Sequence, residues 1–314
     1  MTRTLRAAID SGRFIVTGEL GPPLGASPNL VRKKADHFRC VDAVNVTDNQ
    51  TGIVRQSSIA AAKLLLDEGL DPIVQMTCRD RNRIALQSDI LGASALGVSN
   101  FLLLTGDHMV MGNQPEARAV FDLDSVQLIS MARGMTEGRF LNGDEIKRPP
   151  TALLAGAANP FAEPMGLRLI RIAKKAEAGA DFIQTQAVFD LERFRRWMAG
   201  VRDLGLHTRM KILAGILPTR SSKALEYMRD EVAGMMIPDE TVARLRDAED
   251  PVEEGVRLAC ELIREVREVE GVAGVHLMPV MWEAIVPRVV TEAGLLPPGF
   301  EAPERHEEWI AKAP

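Results

Sequence analysis

The sequence lacks any paired cysteine. Cys40, Cys78 and Cys260 lie far apart and none falls in a CxxC spacing. This excludes a disulfide framework and points to a reduced chain whose thiols serve as small buried hydrophobes. The five histidines, His37, His108, His207, His276 and His306, show no HExxH or other paired spacing, so no metal site built by this chain alone is expected. Aromatic residues make up 4% of the chain, with one tyrosine, too few to supply the stacking surfaces a glycosidase needs. No basic stripe occurs: the net charge is −5 and Lys and Arg are spread along the chain, which sets nucleic acid aside as a partner. No apolar run approaches the roughly 20 residues of a membrane span. The opening "MTRTLRAAIDSGRF" has no apolar core of signal-peptide length. The expectation is a soluble, cytoplasmic protein.

What is present is ample apolar residue, 46% of 314, enough to bury a large core. Short β-type runs alternate with helical patterns along the whole chain. The strand candidates are Phe14–Leu20, Ala43–Asp48, Pro72–Cys78, Asn100–Asp107, Thr151–Ala158, Phe182–Asp190, Lys211–Pro218 and Gly274–Val280. Most are continuous apolar runs, as parallel strands covered on both faces require. Helical spacing marks Ile59–Asp67, Ala85–Leu96, Leu123–Arg133, Leu167–Glu177, Leu191–Leu204 and Val256–Val269. Ser27-Pro28 reads as a helix start, and Gly69, Gly97 and Gly179 follow helix ends. Strand then helix, repeated eight times, predicts a closed (β/α)8 TIM barrel. An open doubly wound sheet would more naturally carry a GxGxxG turn after its first strand, and none is there. Residues 108–122 read as a long loop after the fourth strand, and 231–255 as an extra helix or two before the eighth. Nothing resembles a linker, so residues 1–314 are expected to form a single domain.

A barrel enzyme works at the C-terminal ends of its strands. Those ends carry Glu19; Thr47, Asp48 and Asn49; Gln75 and Thr77; Thr105, Gly106 and Asp107; Asn159; Gln184, Thr185 and Gln186; and His276. So many carboxylates and amides at one end imply a polar pocket. Glu19 and Asp107 are the two acids most directly aimed at it, and two carboxyl groups in one partly dry site tend to divide into an acid and a charged base. "RLIRIAKKAEAGADFIQTQ" brings Arg168, Arg171, Lys174 and Lys175 near the sixth strand. Most of these read as solvated helix charges, with one lysine reaching a phosphate as the sharper alternative.

The same strand ends carry a family pattern. "TGELGPP", "VTDNQTG", "QMTCRDRN", "LLTGDH", "GNQPEARAVFDLDS", "GAANPF", "KKAEAGADFIQTQAVFD" and "GILP" run through nearly the whole chain in order. In these the chain resembles methylenetetrahydrofolate reductase, a flavin-dependent barrel enzyme, and most of all its short form in acetogenic bacteria. The resemblance implies reduction of 5,10-methylenetetrahydrofolate to 5-methyltetrahydrofolate, within one-carbon metabolism and methionine biosynthesis. It implies Glu19 as the acid that protonates N10 and opens the five-membered ring, and Asp107 as the charge near flavin and pterin. Gln186, with Gln184 beside it, falls where the family binds the pterin. Thr47, Gln75, Thr105, Gly106, Asp107, Ala157, Asn159 and Lys175 fall around the flavin, the lysine near its phosphates.

Several of these positions depart from the enterobacterial form. Gln75 stands for its histidine, Thr105 for its arginine, Ala157 for its tyrosine, Arg168 for its aspartate and Ser222 for its nicotinamide-packing phenylalanine. The resemblance therefore leaves FAD, FMN and no tightly bound flavin open, and leaves NADH, NADPH and electrons from a second subunit open. A reductase working without bound flavin, or a folate-binding subunit dependent on a partner, are its alternatives. Homo-oligomerisation is likewise left open.

Overall fold

The computed structural model describes residues 4–300 apart from 233 and 298; His306 lies outside the described residues. Eight parallel strands pair in sequence order and close on themselves, β8 returning to β1. They are β1 (Ile15–Leu20), β2 (Ala43–Val46), β3 (Pro72–Thr77), β4 (Asn100–Leu104), β5 (Leu153–Ala158), β6 (Phe182–Ala187), β7 (Lys211–Ile216) and β8 (Val272–Leu277). Each expected run forms one of these strands, and the differences lie at the ends. Asp48, Asp107 and Asp190 fall beyond the ladders because their carboxylates accept backbone N–H groups instead, from Thr77, Thr51 and Arg193 respectively.

The helices are α1 (Leu5–Asp10), α2 (Pro28–Ala35), α3 (Ser58–Asp67), α4 (Arg83–Ala95), α5 (Ser125–Thr136), α6 (Met165–Glu177), α7 (Leu191–Asp203), α8 (Leu206–Arg209), α9 (Ser222–Glu231), α10 (Asp239–Arg246), α11 (Pro251–Arg267) and α12 (Val286–Glu292). All six helical patterns are helices. The expected addition before the last strand is α10, and α9 joins it. Local chemistry sets the boundaries. Asn82 accepts from Ile84 N and Ala85 N at the head of α4, and Asp124 with Gln127 builds a reciprocal capping box on α5. Gly69, Gly97 and Gly179 all take positive φ after α3, α4 and α6. Ser27 makes no cap bond; the fixed φ of Pro28 at the first position starts α2 instead.

Most of the core lies between the strands and the surrounding helices. There β1 comes so close to the ring of Phe38 that a Cβ on Gly18 would lie 2.6 Å from it. A second, smaller core fills the lower barrel interior with Ile15, Ile73, Leu102, Leu153, Phe182 and Leu213. Helix α1 closes that end by inserting Leu5 and Ala8. Sequence pattern did not reveal this plug, because six residues are too few to show a helical period. Among the described residues no helix is long and apolar enough to cross a membrane.

The plug is clasped by Asp71 at the start of β3. Its Oδ2 accepts Leu5 N at 2.7 Å and its Oδ1 accepts Asn100 Nδ2 at 2.8 Å. Burial outweighs these donors and raises its pKa from 3.8 to about 6. A carboxyl with a raised folded pKa contributes stability that is present below its unfolded pKa and lost as pH climbs through the folded one. In urea titrations, wild type is therefore expected to lose up to about 3 kcal/mol relative to Asp71→Asn between pH 4 and pH 6, and little above. A pH-independent difference would show that Asp71 ionises alike folded and unfolded.

Candidate active site

Side chains alternate along a strand, so residues two apart share a face. Above the apolar lower core, the inward faces of β1, β2, β6 and β8 present Thr17, Asn45, Gln184 and His276, all buried. Asn45 and Gln184 exchange two amide hydrogen bonds, Nδ2 to Oε1 at 2.6 Å and Nε2 to Oδ1 at 3.1 Å. Gln184 Nε2 also donates to Thr17 Oγ1 at 3.3 Å, and Thr17 Oγ1 lies 2.9 Å from His276 Nδ1. Strand register makes that last contact, since Thr17 and His276 are Cα partners. Each polar group thus meets another where water is scarce.

One layer higher, these strands hold the floor of a cleft of about 370 Å³, near the lower end of small-molecule sites. Glu19 is part-buried there. Its Oε2 accepts Gln75 Nε2 at 3.2 Å and lies 3.6 Å from His276 Nε2. Asp107 stands on the exposed rim, its Oδ2 accepting Thr51 N at 3.1 Å. The two acids therefore occupy different surroundings, one on the floor and one in solvent. Gln186 projects from β6 and is exposed, whereas Gln184 two residues earlier has its amide fully engaged with Asn45 and Thr17.

The loops above β2, β3 and β4 are tied together by charge. Asp48 accepts Thr77 N and Thr77 Oγ1, each at 2.9 Å, and pairs with Arg81 at 2.7 Å. Arg79 is buried, donating to Asp80, to the Asp107 carbonyl at 3.2 Å and to the Asn49 carbonyl at 3.2 Å. It fixes the rim that carries Asp107. Gly106 has φ +94°, and a Cβ there would sit 2.9 Å from Thr77 Cβ, so this turn tolerates no side chain. Thr105 Oγ1 accepts Ser125 N at 3.1 Å, joining the same wall to the start of α5.

The wall under β5 is cationic. Lys175 is buried and donates to the Ala157 carbonyl, while Arg171, one turn earlier on α6, is exposed and also lines the cleft. Neither has an ion-pair partner among the described residues. Burial, reinforced by Arg171 and opposed by Asp124, pulls the Lys175 pKa from 10.5 to about 8. A corner with two cations and no ion-paired carboxylate among the described residues fits a phosphate-bearing group. Ala157 offers only a methyl beside it.

Two expected cofactor positions lie outside this cleft. Thr47 is buried with its hydroxyl unpartnered. Asn159 donates to the Gly234 carbonyl at 3.0 Å and accepts Phe161 N at 2.9 Å, beside a side recess of about 50 Å³ that Arg168 also lines. No group of three or more potential metal ligands occurs among the described residues. Thr17, Asn45 and Arg79 were missed by sequence reasoning. The first two sit two residues before Glu19 and Thr47, and the strand period could have found them.

A lysine with a depressed folded pKa weakens the fold wherever it stays charged, and stability returns as pH rises from about 8 toward the unfolded value. Lys175→Met is therefore expected to gain stability on wild type at pH 7, by up to about 3 kcal/mol, with the gap narrowing from pH 8 to 10. It is also expected to lose binding of inorganic pyrophosphate, read by calorimetry. A gap that stays constant with pH would mean Lys175 titrates normally.

Comparison with known proteins gives the site a context. The family model for methylenetetrahydrofolate reductase matches residues 4–294. A probable methylenetetrahydrofolate reductase (NADPH) of Caenorhabditis elegans is 23% identical over 252 residues, 77% of this chain and 35% of that one. Methylenetetrahydrofolate reductase (NADH) 1 of Arabidopsis thaliana is 25% identical over 215 residues, 66% of this chain and 35% of that one. The chain spans well under half the length of these relatives. A Clostridium thermocellum protein that binds two copies of 5-methyl-5,6,7,8-tetrahydrofolic acid shares the fold, with TM-score 0.65 and 16% identity over 92% of this chain and 96% of that one.

Proposed function

The chain belongs to the methylenetetrahydrofolate reductase family, and from that premise we propose that it reduces 5,10-methylenetetrahydrofolate to 5-methyltetrahydrofolate. The observation that carries the reading is Glu19, a part-buried carboxyl on the cleft floor whose two polar contacts both fall on Oε2. Oε1 is then the oxygen that delivers a proton to N10 and opens the five-membered ring. Asp107, a carboxylate side chain at the exposed rim, offsets the cation left on the pterin. Gln186 orients the pterin by its exposed amide, and Gln184 acts beneath it through Asn45 and Thr17. The folate bound by the Clostridium thermocellum neighbour supports a pterin in this barrel.

Arg171 and Lys175 would hold the phosphates of a flavin, FAD in the first instance, with Thr105, Gly106 and Ala157 along its wall. When bound, that flavin supplies the hydride, replenished from NADH or NADPH. Thr105 and Ala157 are small, and this favours a second reading. In it no flavin stays bound, and hydride comes straight from the nicotinamide or by way of a partner subunit.

The absorbance spectrum of the purified protein, followed by anaerobic NADH titration, separates these readings. A yellow protein bleached by NADH and recoloured by methylenetetrahydrofolate is expected. A colourless protein that still oxidises NADH with methylenetetrahydrofolate would support the second reading, and no folate reduction from any donor would overturn the function. Glu19→Gln is expected to leave reduction by NADH intact and slow folate reduction by on the order of 10²–10⁴-fold. Asp107→Asn is expected to slow the folate step and raise the flavin potential, measured by dye equilibration.

A further inference from the structure

The buried layer beneath Glu19 has a direction. Gln184 Nε2 gives its two hydrogens to Asn45 Oδ1 and Thr17 Oγ1, so the threonine oxygen already accepts one bond. Its own proton has two destinations, His276 Nδ1 at 2.9 Å and the Val275 carbonyl at 3.5 Å. The shorter contact is the stronger hydrogen bond. With the hydroxyl proton on Val275, the ring would instead donate from Nδ1; with it on the shorter contact, Nδ1 is the acceptor and a neutral ring carries its hydrogen on Nε2, the nitrogen facing Glu19 at 3.6 Å. That gap exceeds a hydrogen bond, but catalytic contacts commonly tighten once substrate closes the site.

We propose that His276 is a positioning residue for Glu19, held as its Nε2–H tautomer by Thr17, and that with Gln75 it reserves Oε2 and so confines the acidic proton to Oε1. A proton on Oε2 would confront two N–H donors, and on Oε1 it confronts none of them. Asn45, Gln184 and Thr17 make no hydrogen bond to the acid and reach it through the ring. The kinetic part of this inference rests on the folate reading, whereas the tautomer does not.

Two-bond 1H–15N correlation spectra of histidine-labelled protein read the tautomer without substrate. The His276 signal, assigned by its loss in His276→Gln, is expected to show the Nε2–H pattern in wild type and in Thr17→Ser. Thr17→Val, which keeps shape and removes the hydroxyl, is expected to give a tautomer mixture. In single-turnover reduction of methylenetetrahydrofolate, Thr17→Val and His276→Phe are expected to be slower by on the order of 10-fold, less than the loss of the acid itself. Binding of 5-methyltetrahydrofolate should change less than about twofold, and His276→Gln, which restores an N–H donor, should recover part of the rate. An Nδ1–H ring in wild type, or full single-turnover rate in both Thr17→Val and His276→Phe, would overturn the proposal. If no donor supports folate reduction the function is wrong, and if Glu19→Gln reduces folate at full rate the acid role of Glu19 is wrong; in both cases the tautomer result still stands or falls alone.

Discussion

A closed barrel turns alternate side chains of every strand into a space with no room for bulk water, and the rest of the site depends on how that space is filled. At the lower end the answer is apolar: Ile15, Ile73, Leu102 and Phe182, with Leu5 and Ala8 supplied by the N-terminal helix. In the middle the answer is mutual satisfaction, with Thr17, Asn45, Gln184 and His276 each meeting another's donor or acceptor. A buried amide left unpaired there would cost on the order of 1–3 kcal/mol. The polar layer therefore exists only as a set. Its upper boundary is the first level at which ligand can enter, and Glu19 sits at that boundary.

Two kinds of precision meet in the cleft. Glu19 and Gln75 are delivered by strands, whose positions the ladder fixes. Asp107 stands on a loop and owes its place to Arg79, whose buried guanidinium ties the carbonyls of Asn49 and Asp107 to the top of β3. Gly106 adds to this by bringing its turn against Thr77. The acid on the floor and the carboxylate at the rim are thus held by separate devices, and a change in one need not disturb the other. The cationic corner at Arg171 and Lys175 is a third, attached to α6 and β5.

Much of this was legible in the sequence. The strand–helix alternation gave all eight strands, because parallel strands buried on both faces read as apolar runs. Glu19, Gln75, Thr105, Gly106, Asp107, Lys175 and Gln186 were identified from strand ends and motif, and they line one cleft. What stayed hidden has physical reasons. Helix α1 is too short to show a period, and α9, though Ser221 caps its start, buries a single side chain, Leu225. Asn45 lies inside an apolar run, where a single amide reads as noise until its partner across the barrel is known. Gln184 was expected at the pterin and does line the cleft; that its amide is also engaged by Asn45 is visible only in three dimensions.

The bond between Thr17 and His276 spans 259 residues, nearly the whole chain. Until β8 takes its place, β1 has one open edge and Glu19 has no imidazole beside it. During synthesis, a ribosome-bound chain with seven strands out would carry most of the core but an unfinished centre. Contacts this distant in sequence form late, because the loop they close must be ordered first. The pairing of Glu19 with His276 therefore forms only with ring closure.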